Sequence, residues 1–207
     1  MTEFLISNKL KPISEFCDLI PPDQEISRYE AIIPIHEYFD SCVDISKFLG
    51  FCKQCPGYCQ TWSCPSFDFD PAEYWLRYNW FHLIGIQIPV PDHLRIQKMT
   101  GEEARHMADC LLKPRKNDLV CELFQMEKQI PGSRALMAGG CELCGEGGCT
   151  RPSGKPCRHP DKLRHSVESL GGNVSLTVEK YLGQRILWMK DGKLPEYFML
   201  ICGLLYK

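Results

Sequence analysis

Eight of the thirteen cysteines in this chain fall in two short runs. The first is Cys52-x2-Cys55-x3-Cys59-x4-Cys64, followed by Pro65, and the second is Cys141-x2-Cys144-x4-Cys149-x7-Cys157. A thiolate is a soft, charged ligand. Four of them from one short loop can enclose zinc or an iron–sulfur cluster. A chain with this spacing must present two irregular loops on a scaffold built from the rest of its length.

Disulfides are the competing use of so much cysteine. Residues 1–10 lack the basic region and long apolar stretch of a signal peptide. No apolar run approaches the roughly eighteen residues of a membrane span. The expected compartment is therefore the cytoplasm, where thiols stay reduced and serve as ligands or redox groups. An odd total of thirteen also fits poorly with a closed disulfide framework. The formal net charge is −2 and there is no basic run, so nucleic acid finds no electrostatic footprint. Walker A, GxGxxG and GxSxG motifs are absent, which removes support for a nucleotide site or a serine hydrolase.

A length of 207 residues suits one domain with a real core, spanning 1–207, with 1–28 as a loosely packed N-terminal extension broken by Pro12, Pro21 and Pro22. The pattern predicts strands at 31–35, 81–90, 134–138 and 196–205, the first near an edge because of Pro34. Helices are predicted at 40–50, 71–78, 100–113, 118–129, 160–171 and 175–182. Thr100 and Glu103 are spaced for a capping box, and Pro114 is expected to interrupt the long helix. Strands alternating with helices give an α/β class, with a small sheet of about four strands, mixed in direction, and two cysteine-rich metal loops at element ends. The 76 residues between Cys64 and Cys141 do not say whether the loops meet.

In the first loop, Pro56-Gly57 supplies a tight turn that lets Cys52 and Cys55 reach one core. Cys64-Pro65 matches the end of the bacterial ferredoxin run, although the middle spacings are looser. Tyr58, Trp62 and Phe67 are candidates for an apolar wall against water. Two ribs, Cys52/Cys55 and Cys59/Cys64, would equally suit a zinc knot.

The second loop is rich in glycine, which lets the backbone wrap closely and aim amide hydrogens at sulfur. Cys157 precedes an expected helix start at Pro160, and Arg151, Lys155 and Arg158 bring positive charge toward an anionic core. The uneven x4 and x7 gaps favour a [4Fe–4S] cluster on Cys141, Cys144, Cys149 and Cys157, with a structural zinc as the alternative. Cys17, Cys42, Cys110, Cys121 and Cys202 are scattered and read mainly as small buried hydrophobes. The six histidines form no H-x3-H or HExxH pattern, and His165 reads as a helix-surface residue.

Four stretches together resemble a known family. They are Cys52-x2-Cys55-Pro56-x-Tyr58-x3-Trp62-Ser63-Cys64-Pro65, Gly139-Gly140-Cys141-x-Leu143-Cys144, Gly154-Lys155-Pro156-Cys157-Arg158-His159-Pro160 and Arg164-x-Ser166-x-Glu168-x-x-Gly171. The family is that of cysteine-rich predicted metal-binding proteins of unknown function, found mainly in anaerobic bacteria and archaea. The resemblance runs from about residue 28 to the end. It implies metal and leaves the reaction open. It carries over Cys52, Cys55 and Cys64 in the first loop and all four cysteines of the second. Cys59 stands where the family pattern has glycine, and Ser66 where it has a second proline. Spacing makes Cys59 an attractive fourth ligand; the resemblance makes it spare.

The expected activity is that of an iron–sulfur protein with two [4Fe–4S] clusters, passing electrons to or from a redox protein partner. One alternative is an enzyme with an open iron above Cys52, Cys55 and Cys64, with Glu142, Glu146 or His159 for proton transfer. The other is a zinc-stapled interaction module.

Overall fold

The computed structural model describes residues 25–207, so most of the expected N-terminal extension and Cys17 lie outside the described residues. The sheet is built from β1 (Ser27–Pro34), β2 (Trp80–Pro89), β3 (Arg134–Leu136) and β4 (Tyr197–Tyr206), in the order β1-β2-β4-β3. The chain is of α/β class with four strands, as expected. Pro34 closes β1, which is indeed an edge strand. Every strand pair is antiparallel rather than mixed in direction. Alternation of strands and helices predicts parallel pairs only where a helix serves as a crossover, and none does so among the described residues.

The central strands are apolar on both sides because both sheet faces are covered. Phe81 and Leu83 of β2, with Ile201 and Leu205 of β4, face one layer. That layer contains α1 (Ile35–Cys42), α3 (Pro71–Leu76) and α6 (Val174–Leu182), which contribute Tyr38, Trp75 and Val178. Ile84, Ile86, Leu200 and Leu204 face the opposite layer, which is α5 (Gly101–Gln129). Each large apolar side chain so buried is worth about 1.5–3 kcal/mol.

Local signals explain most boundaries. The expected helix at 40–50 is two helices, α1 and α2 (Ile45–Cys52), because Asp44 between them accepts a hydrogen bond from the Lys47 amide at 3.0 Å and starts a new helix. Asp70 caps α3, whose first residue is Pro71. A short α4 (Asp92–Arg95) follows β2. The capping box of Thr100 and Glu103 is present, with both hydrogen bonds formed at 3.2 and 2.7 Å. Pro114 does not break α5, which runs on for 29 residues. The lost hydrogen bond is outweighed by a continuous buried stripe, Ala104, Met107, Ala108, Leu111, Leu119 and Leu123, on both sides of the proline.

The expected helix at 160–171 is absent. Two single 3-10 turns, Pro160–Lys162 and Glu168–Leu170, stand there with irregular chain between them. That chain is fixed by tertiary contacts instead. Arg164 donates to both oxygens of Glu127 on α5, at 2.6 and 2.5 Å, and to the carbonyls of Asp161 and Leu163. Cys42 and Cys202 are buried, as small hydrophobes should be. Cys121 is exposed and Cys110 is only half-buried, so neither fits that reading.

Candidate metal centre

The first loop leaves the C-terminal end of α2, whose last residue is Cys52. It then coils through successive tight turns: the amides of Cys55, Tyr58, Gln60 and Cys64 donate to the carbonyls of Cys52, Cys55, Gly57 and Thr61 at 3.0–3.2 Å. The turn at Pro56-Gly57 aims the Gly57 amide at the Cys55 sulfur, 3.3 Å away. Burial pushes the Cys52 thiol above its ordinary range, and the neighbouring Cys64 and Cys55 add to the rise. Cys55 and Cys64 therefore both sit within electrostatic reach of Cys52.

Cys59 is placed differently. Its φ is +57°, in the left-handed region that favours glycine. Its own amide donates to the Pro65 carbonyl at 3.1 Å. The Ser66 amide donates to its thiol and, with the Arg151 guanidinium nearby, holds that thiol below its ordinary range.

The second loop follows β3. Cys141, Cys144, Cys149 and Cys157 all line one cavity of about 410 Å³. Burial raises the Cys141 thiol, the Leu143 amide opposes the rise, and Cys144, Cys157 and Cys149 add to it. Positive φ at Gly145 and Gly148 turns the chain sharply around the cavity. The His159 amide donates to the Cys157 sulfur at 3.3 Å. Among the described residues, no three His, Cys, Asp or Glu side chains meet closely enough to hold a single metal ion. The four thiols stand around the cavity wall rather than at one point.

The loops interlock. Arg151, in the second loop, donates to the carbonyls of Thr61, Cys64 and Ser66 in the first and lies 5.2 Å from the Trp62 ring centre. Trp62 donates back to the Lys155 carbonyl at 3.2 Å, and the Cys141 amide donates to the Ser63 hydroxyl at 3.0 Å. Trp62 lines the second loop's cavity, whereas the sequence suggests it as a wall for the first. Phe67 instead stacks on Phe69 and meets the edge of His165. Arg158 bonds the carbonyls of Gly147 and Gly148 in its own loop.

Two expectations need correcting here. No helix begins after Cys157; the single turn at Pro160–Lys162 is too short to offer a helix dipole. His165 is not on a surface. It is buried, with Nδ1 3.1 Å from the Ser63 carbonyl, and burial pushes its pKa down. Of the proposed proton carriers, Glu142 and His159 line the second cavity and Glu146 does not. Glu142 pairs with Lys116 at 3.7 Å.

Residue-by-residue reading of the sequence assigned no role to Ser63, Arg164 or Glu168. All three lie in stretches that carry the family resemblance, so the pattern marked them without saying what they do. No helix among the described residues is long and apolar enough to cross a membrane. No curated protein and no solved structure matches the chain. Residues 41–205, which include both cysteine loops and the contacts that join them, match the family described as predicted metal-binding protein (DUF2284), and the chain belongs to that family.

Proposed function

We propose that the protein holds a [4Fe–4S] cluster in each cysteine loop and exchanges electrons with a redox protein partner in the cytoplasm. The observation that carries this is the set of four thiols around one cavity of about 410 Å³. A structural zinc draws its four ligands to within about 2.3 Å of a single point. Thiols spread around a cavity of this size suit a larger, polynuclear core. When bound, such a core supplies one-electron chemistry whose potential depends on hydrogen bonds to sulfur, local charge and exposure.

The chain's own residues provide those controls. The amides of Gly57 and His159 point at cysteine sulfurs, and Trp62 closes one wall against water. Because Arg151 and Ser63 tie the loops together, the two thiol sets belong to one rigid surface that a partner can approach. The test is iron and acid-labile sulfide analysis of anaerobically purified protein, with electron paramagnetic resonance. Two clusters per chain are expected, and Cys141→Ser or Cys157→Ser should each remove one cluster's worth of iron. Stoichiometric zinc without sulfide would overturn the reading in favour of a zinc-stapled module.

A second reading is favoured by the place of Cys59. Its backbone is left-handed and its thiol is shifted by the Ser66 amide and Arg151, whereas the Cys52 thiol is shifted by Cys64 and Cys55. Three thiolates leave one iron open, as an enzyme needs. Cys59→Gly separates the two: iron lost from the first loop supports closed electron-transfer centres, and iron retained supports an open site.

A further inference from the structure

β3 pairs with Gly203–Leu205 of β4, so among the described residues the edge of β4 from Phe198 to Ile201 has no strand beside it on that side. A second cavity, of about 390 Å³, lies along that edge between α5 and the segment 186–189. Ile186, Trp188, Phe198 and Leu200 give it apolar walls. Its polar groups are few: Glu168, with Lys116, Arg105 and Asp109 from one face of α5. No cysteine lines it.

Glu168 is the unusual member. Its Oε2 is buried with no hydrogen-bond partner among the described residues. Buried polar atoms in folded proteins are nearly always paired, so an orphaned carboxyl oxygen beside a cavity suggests a missing ligand atom. The residue as a whole is only half-buried, so rotation about its side-chain torsions can turn that oxygen to the cavity. The nearby Lys116 pairs, among the described residues, with the exposed Glu142 at 3.7 Å.

We propose that this cavity binds a small carboxylic acid with an aliphatic or aromatic body, its head group received by Glu168 and Lys116 and its body by the apolar walls. Burial raises the Glu168 carboxyl above its ordinary range, which favours the protonated form, whose O–H can donate to the ligand's carboxylate. Lys116 and Arg105 outnumber Asp109 and balance the ligand's charge. An amine head would instead meet the cations Lys116 and Arg105. Pockets with mostly apolar walls and a few convergent polar groups are the usual form of a small-molecule site. The proposal uses none of the cysteines, and Lys116 is its one link to the second loop, through Glu142.

The test uses anaerobically purified protein and 3-(4-fluorophenyl)propionate, observed by fluorine NMR beside the corresponding alcohol and amine. The acid's line should broaden and recover when excess 3-phenylpropionate is added, while the amine's line stays sharp. Lys116→Gln and Glu168→Leu should each weaken binding about tenfold, the scale of a lost charge-assisted hydrogen bond. Glu168→Gln keeps an N–H donor in the same shape and should retain most of the binding. It also guards against a Glu168→Leu protein that fails to fold. An acid line that never broadens, an amine that binds as well as the acid, or binding that survives Lys116→Gln unchanged would each overturn the proposal.

Discussion

Glu127 and Arg164 form the most enclosed ion pair among the described residues, with side chains 11% and 7% exposed. Burial alone would raise the Glu127 carboxyl, but the Arg164 guanidinium and the Ala135 amide, which donates at 2.5 Å, outweigh it and hold the pKa below the usual range. A carboxyl lowered in this way adds stability above its unfolded pKa of about 4.3, and that stability is lost as pH falls through the lower folded value. Arg164→Met should therefore remove part of the acid dependence of unfolding. It should also cost about 3–5 kcal/mol near neutral pH, because an uncompensated carboxylate stays buried. Urea unfolding of the two proteins at pH 7 and at pH 4 measures both effects. A cost of less than about 1 kcal/mol would mean that Glu127 escapes to solvent. The Cys202 thiol illustrates the opposite case: burial pushes it up to about 12, so it remains a protonated, inert filler of the core.

At the scale of elements, two glycines have opposite meanings. A Cβ on Gly203 would lie 2.1 Å from the His82 carbonyl oxygen, in the middle of the β2–β4 ladder. Gly203→Ala must push two central strands apart and should cost about 1–3 kcal/mol or more. A Cβ on Gly50, inside α2, meets nothing within 4 Å. Gly50→Ala should raise stability by about 0.5–1 kcal/mol through helix propensity alone. Thermal unfolding of the pair gives the two signs directly, and a stabilised Gly203→Ala would contradict the strand pairing described.

The same scale shows what was legible in sequence. The apolar runs of β2 and β4 and the Thr100–Glu103 box depend on neighbours in the chain, and all were readable. The stretch from Pro160 to Gly171 was not. Its proline and terminal glycines imitate a helix, but its conformation is set by Glu127 and Ser63, partners distant in sequence. The continuity of α5 through Pro114 was hidden for a related reason, since the stripe that offsets the proline acts only once β4 is packed against it. For the site, cysteine spacing is a local property and was legible within each loop. The joining of the loops was not, because the bonds from Cys141 to Ser63 and from Arg151 to Thr61 span 78 and 90 residues.

For the whole molecule, Arg151 is the side chain on which that joining most depends. Arg151→Ala removes its bonds to three first-loop carbonyls and its contact with Trp62. Backbone amides in 58–66 should then exchange hydrogen at least tenfold faster, while those of β2 and β4 stay protected. Arg151→Lys should not restore them, since an ammonium cannot copy the planar fork. Unchanged exchange at 58–66 would show that the first loop holds its shape alone.

The long separation of the two loops along the chain also has a temporal side. Synthesis adds about 5–20 residues per second, so the first loop leaves the ribosome roughly 4–20 s before Arg151 exists to hold it. If Cys52, Cys55, Cys59 and Cys64 hold the proposed centre, they stand during that interval without its clamp, open to whatever soft metal the cell offers first. Fidelity of metal loading then depends on the order in which the chain is born as well as on the geometry of the finished fold.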